Sequence, residues 1–169
     1  MYSWDEDQTA EGMPITIWYR EMLANADNFD QALAFAQRPI TRTIAVNTLL
    51  ADGNKAAILE TSSTKIATRY PVDGVVYAAN HFESKTFIGD YEPDRDYRWP
   101  ALSKWSNIDR LMNFEDVRSV IAESAMEDED WTNVLAFFVD YESKQVVWGS
   151  RHNPAANGEL NYINLNTLF

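Results

Sequence analysis

Residues 47–60, NTLLADGNKAAILE, hold two apolar runs around Asp52-Gly53, a pair suited to the left-handed backbone of a tight hairpin turn. The first run extends back to Ile44 and the second spans Lys55 to Glu60, so the stretch predicts two antiparallel strands. Toward the C-terminus, Thr64–Tyr70 and Val75–Ala79 flank Pro71-Val72-Asp73-Gly74 and predict a second pair, which makes the middle of the chain a meander. Toward the N-terminus, Gly12 and Pro14 mark a helix start. Ile15, Trp18, Tyr19, Met22, Leu23 and Ala26 then follow helical spacing and predict one apolar face. Asn28 with Gln31 forms a capping-box-like entry to a second helix, with Phe29, Ala32, Leu33 and Ala36 facing inward before Pro39 ends it.

Beyond the meander, Phe82–Arg95 mixes aromatic and charged residues without period and reads as a loop. Helical patterns follow at Tyr97–Met112 and Phe114–Ala125, the latter with Asn113 as N-cap and Phe114, Val117 and Ile121 as its buried stripe. Glu127-Asp128-Glu129-Asp130 reads as a solvated acidic turn. Val134–Val139 and Gln145–Gly149 flank Asp140–Lys144 as a last hairpin, and Arg151–Phe169 reads as a polar, Asn-rich tail. Strands are grouped rather than alternating with helices, so the expected class is α+β and layered. Without a repeat or a linker, residues 1–169 read as a single domain with an acidic lead over 1–11.

The 169 residues are 46% hydrophobic and 13% aromatic, enough to build a core at a length that buries roughly 70% of the unfolded surface. The net charge of −12, with no basic stripe, argues against a nucleic-acid partner. With no cysteine, disulfides, thiolate zinc, iron–sulfur clusters and a cysteine nucleophile from this chain are excluded, and the two histidines, His81 and His152, give no metal-ligand spacing. The start, MYSWDEDQ, is acidic where a secretory signal is basic and then apolar, and no apolar run reaches membrane-spanning length. The expectation is a soluble, cytoplasmic chain without metal, membrane or cofactor.

Thr61-Ser62-Ser63-Thr64 lies between two predicted strands, where turn chemistry accounts for its hydroxyls. The 26 acidic residues make any carboxylate pair uninformative on its own. Val75-Val76-Tyr77-Ala78-Ala79-Asn80-His81-Phe82 is more specific: an apolar strand ends in an amide, an imidazole and a ring. An Asn side-chain N–H there can stabilise oxyanion charge, and losing such a donor costs about 3 kcal/mol. Read on their own chemistry alone, Asn80 is an ordinary turn residue and His81 a surface side chain.

GMPITIWYREML (Gly12–Leu23), NTLLADGNKAAILE (Asn47–Glu60), DGVVYAANHFES (Asp73–Ser84) and DYRWPALSKW (Asp96–Trp105) resemble, in order, the C-terminal part of the acyl-CoA:6-aminopenicillanic acid (isopenicillin N) acyltransferase family. This family sits with the choloylglycine hydrolases among the N-terminal-nucleophile (Ntn) hydrolases. The closing Val146-Val147-Trp148-Gly149 hairpin and Tyr162–Phe169 are also similar to the family's end. The resemblance implies an αββα sandwich of antiparallel sheets flanked by helices, and a small acyl-amide substrate attacked by an N-terminal cysteine thiol. It implies Asn80 as the oxyanion or substrate-orienting amide and Arg98 as the arginine near the nucleophile. Asn47 would face the same region, with His81 and Phe82 holding the strand end beside the substrate. Arg98 and Asn47 have rival readings as a surface ion-pair partner and an edge-strand polar residue.

Family members place the nucleophilic cysteine well upstream of the GxP helix, whereas eleven residues precede Gly12 here and none of the chain's residues is a cysteine. The expectation is therefore a partial sandwich whose N-terminal half is absent. Its partner would be a missing N-terminal segment or a second copy of the chain. Two functions follow: the C-terminal portion of an amide hydrolase or acyltransferase, or a non-enzymatic interaction module that kept the half-fold. An unrelated acidic α+β domain is a third. A half-sandwich should also expose an apolar sheet face.

Overall fold

The computed structural model describes residues 11–79, 81–87, 98–110, 112–125, 135–150 and 155–167, with backbone only at 135. The acidic lead before residue 11, Asn80 and the 127–130 turn lie outside the described residues. The element content is α+β, as expected: four α-helices and two small antiparallel sheets among the described residues. The chain divides into two compact units, Met1–Arg95 and Asp96–Phe169.

In the first unit, α1 (Ile15–Ala24) and α2 (Phe29–Ala36) precede β1 (Val46–Ala51), β2 (Ala56–Thr61) and β3 (Ile66–Arg69), which pair in the order β1-β2-β3. The Asn28 side chain accepts from the Gln31 N–H and caps α2 as expected, while Gln31 reaches back to the Asp27 N–H at 2.8 Å. Asp52 in the hairpin turn accepts from the Asn54 and Lys55 N–H groups and, through its other oxygen, from Phe29 N at 3.0 Å. Bonds from Phe29 first, then Asn54 and Lys55, hold the Asp52 carboxyl below its ordinary range. The turn that joins β1 to β2 thus also ties down the first turn of α2.

Trp18, Met22, Phe29, Ala32, Phe35 and Ala36 pack with Leu50, Ala57 and Leu59 into one core. Leu23, placed on the buried face by spacing alone, is 71% exposed. Trp18 and Met22, four residues apart, set the centre of the contact stripe, and Leu23 lies past its edge. Arg42 is buried beside this core: Nε donates to Ser62 O at 3.0 Å, Nη2 donates to Lys65 O at 3.1 Å, and the guanidinium carbon lies 5.6 Å from the Trp18 ring centroid. Burial lowers its pKa from the ordinary value.

The expected fourth strand, Val75–Ala79, does not form. Val72 and Val75 make an isolated bridge around a turn with positive φ at Asp73 (50°) and Gly74 (82°), and the residues that follow join no ladder. The physical reason lies in the side chains that take up the segment's backbone groups, described below.

In the second unit, α3 (Trp99–Ser106) is shorter than its pattern suggested, with Pro100 in its first turn. In α4 (Phe114–Glu123), Asn113 and Asp116 form the capping box that the N-cap reading anticipated. Ile121 and Ala122 pack into its core contact and the partly exposed Phe114 ring meets buried Phe138 edge-on at 5.1 Å, while Val117 is exposed despite being expected in the stripe. Arg118 fixes that orientation by donating to Ala156 O at 2.6 Å and Gly158 O at 3.1 Å. The hairpin is present as β4 (Leu135–Asp140) and β5 (Gln145–Ser150), and a third strand, β6 (Leu160–Asn164), arises in what read as a polar tail. Its alternation is weak because Leu160, Tyr162 and Asn164 share one face with little apolar content.

One face of this sheet packs Ala136, Phe138, Val147 and Leu160 against Ile121, Ala122, Ala155 and Ala156. On the opposite face, register aligns Phe137 with Trp148 and aligns Val139 with Val146 and Ile163. There Phe137 is 60% and Val139 50% exposed. Gly149 is required by close approach, since a Cβ there would run into the Ala155 carbonyl oxygen. Gly149→Ala is expected to cost about 1–3 kcal/mol, read as a lower Tm; an unchanged Tm would contradict this contact. No helix among the described residues is long and apolar enough to cross a membrane.

Candidate functional site

Register places Asn47 opposite Glu60 and Ile58 opposite Arg69, so Asn47, Glu60 and Arg69 share one face of β1-β2-β3. The other face carries Leu50, Ala57 and Leu59 into the core with α1 and α2. All three polar side chains bond to the backbone of the segment that follows β3, at Tyr77, Ala79, His81, Glu83 and Ser84. Arg69 Nη2 donates to Tyr77 O at 2.9 Å, and Asn47 Nδ2 donates to Ala79 O at 2.9 Å and to His81 O at 2.7 Å. The Glu60 carboxylate accepts from Glu83 N and Ser84 N, each at 2.8 Å. A strap is thus laid across the sheet and held by side chains instead of a ladder, which is why Val75–Ala79 forms no strand.

Glu60 is 0% exposed, and its charge is tolerated because it also accepts from Arg69 Nε at 2.6 Å. Arg69 in turn bonds Glu83 Oε2 at 3.1 Å and lies 3.0 Å from Oε1. Burial is the main reason that the Glu83 carboxyl is raised from 4.5 to about 6, with the Glu60 charge adding to it and Arg69 opposing it. His81 is buried, with Nε2 3.9 Å from Glu83 Oε1. The Phe82 ring packs on Phe87 at a centroid distance of 4.5 Å.

The structure brings Asn47, His81 and the neighbours of Asn80 together. Asn80 itself lies outside the described residues, yet Asn47 grips the carbonyls of the residues on both sides of it. Arg98 belongs to the second unit, at the entry to α3, where its carbonyl accepts from Leu102 N at 3.0 Å. Sequence reasoning missed Glu60, Arg69 and Glu83. The available signal was Glu60 itself: an acid ending a strand that is apolar at four consecutive positions has to be buried with a partner.

With both Nδ2 hydrogens engaged, Asn47 keeps Oδ1 as a buried acceptor that no described group satisfies, and the Ser84 hydroxyl is likewise enclosed without a partner. The face holds no thiol, since the sequence has no cysteine. No group of His, Asp or Glu suited to a metal ion occurs among the described residues.

A family model, acyl-coenzyme A:6-aminopenicillanic acid acyl-transferase, matches residues 3–143. No curated protein matches the chain. The family match suggests an acyltransferase- or amidase-like function, and the lack of cysteine fits a chain without its own nucleophile. With most of its length under that one model, the chain belongs to the acyl-coenzyme A:6-aminopenicillanic acid acyl-transferase family.

Proposed function

We propose that the chain is the C-terminal portion of a linear amide C–N hydrolase or acyltransferase of the Ntn class, whose thiol comes from a separate N-terminal segment. The observation that carries this reading is the Asn47 grip on Ala79 and His81, which pins the backbone around Asn80. Held so, the Asn80 amide acts as a fixed donor to the oxyanion formed when a thiolate attacks an acyl amide. Asn47 acts through the strap, positioning the residues on either side of Asn80. His81 and Phe82 shape the strap beside the substrate and take no proton in the reaction.

The test has two arms. The purified chain alone should turn over no member of an acyl-amide panel; turnover by it alone overturns the account of the missing nucleophile. Combined with a cysteine-led segment of the same family, activity should appear, and Asn80→Ala should lower kcat on the order of a hundredfold. An unchanged kcat removes the oxyanion role. A second reading, a non-enzymatic binding module that kept the half-fold, is supported by the bare apolar face of Phe137 and Val139. Failure of every such combination to yield turnover would favour it.

A further inference from the structure

We propose that residues 81–84 form a proton-linked strap, seated on the sheet while the Glu83 carboxyl, packed against Glu60 and Arg69, keeps its proton and loosened when that proton leaves. The inference rests on reading this segment as the carrier of the site, and it assigns that site a regulation by pH. The groups facing Glu83 are Glu60 from β2, Arg69 from β3 and His81 from the strap itself. With both carboxylates ionised, two negative charges share the Arg69 guanidinium among the described residues. A proton on Glu83 leaves the Glu60–Arg69 pair neutral.

The strap responds because its attachment and its titration meet at the same Glu60–Arg69 pair. Glu83 hangs on Glu60 through its own backbone N–H, and its side chain competes with Glu60 for Arg69. Charging Glu83 therefore draws Arg69 away from Glu60 and sets a second carboxylate against it. Glu83 is raised in the folded state, so the neutral form favours the seated strap. That contribution is complete below the ordinary value of 4.5 and is lost as pH rises through about 6.

Amide hydrogen exchange of the purified chain from pH 5 to 7.5, corrected for the intrinsic pH dependence of exchange, reads the strap directly. The Glu83 and Ser84 amides should lose protection about tenfold across that range, while Leu59 in the core stays constant. Glu83→Gln, which mimics the protonated side chain in size, should be flat within about twofold. A flat wild-type profile, or a variant that follows the wild type, overturns the proposal. Carbon-13 titration of the Glu83 carboxyl in the unmodified chain is a second measurement, expected near pH 6; a midpoint at 4.5 also overturns it. No substrate enters these experiments, so loss of the strap and loss of the amide-bond reading are separate results.

Discussion

Glu60→Ala is expected to destabilise the first unit by about 3–5 kcal/mol, the range for removing one member of a buried, hydrogen-bonded ion pair. The carboxylate is fully enclosed, and its loss leaves Arg69 Nε and the Glu83 and Ser84 N–H groups without their acceptor. Stability of this order is a large share of what a small domain possesses. Glu60→Gln should fall between the two, because a single amide oxygen serves one backbone N–H while the amide nitrogen confronts the other. The measurement is urea unfolding followed by hydrogen exchange at Leu59, beside the strap's own exchange. A loss below about 1 kcal/mol would mean that water replaces the clamp at no cost.

Trp18→Ala should cost a similar amount, about 3–5 kcal/mol. Trp18 has no exposed surface and packs against Tyr19 and Phe35 at centroid distances of 5.5 and 6.5 Å. The cavity also removes the ring over which the Arg42 guanidinium lies, uncovering a buried cation held there by backbone carbonyls. Trp18→Phe keeps a ring in place and should lose less than half as much. Equal losses for the two variants, read as urea midpoints, would show that retained ring volume contributes nothing and that the indole itself is what this position needs.

The elements written in local chemistry were legible. The Asp52-Gly53 hairpin, the Asn28 and Asn113 caps and the β4-β5 pair follow from turn and cap residues whose reasons lie within a few positions. Long-range partners decided the rest. Val75–Ala79 is apolar and β-branched enough to be a strand, but Arg69 and Asn47 take its carbonyls, and no periodicity within the segment records that. Leu23 fits helical spacing and still faces outward, because the width of a buried stripe is set by what packs against it. At the site, the Asn80-His81-Phe82 cluster drew attention through its residue types, while its supports Glu60, Arg69 and Glu83 were hidden among many similar charges. Asn47 was singled out as facing the region, and its side chain contacts the carbonyls flanking Asn80.

Because side chains hold the strap, it uses none of the backbone hydrogen-bonding capacity at the outer edge of β3, which pairs only with β2 among the described residues. Sheet growth and site support are thereby decoupled. An additional strand, from another polypeptide or from more of this one, can zip onto that edge through main-chain bonds without displacing Asn47, Glu60 or Arg69 from their tasks. Among the described residues, the outer edge of β3 is thus a margin on which the sheet can be extended while the grip of Asn47 on Ala79 and His81 stays as it is.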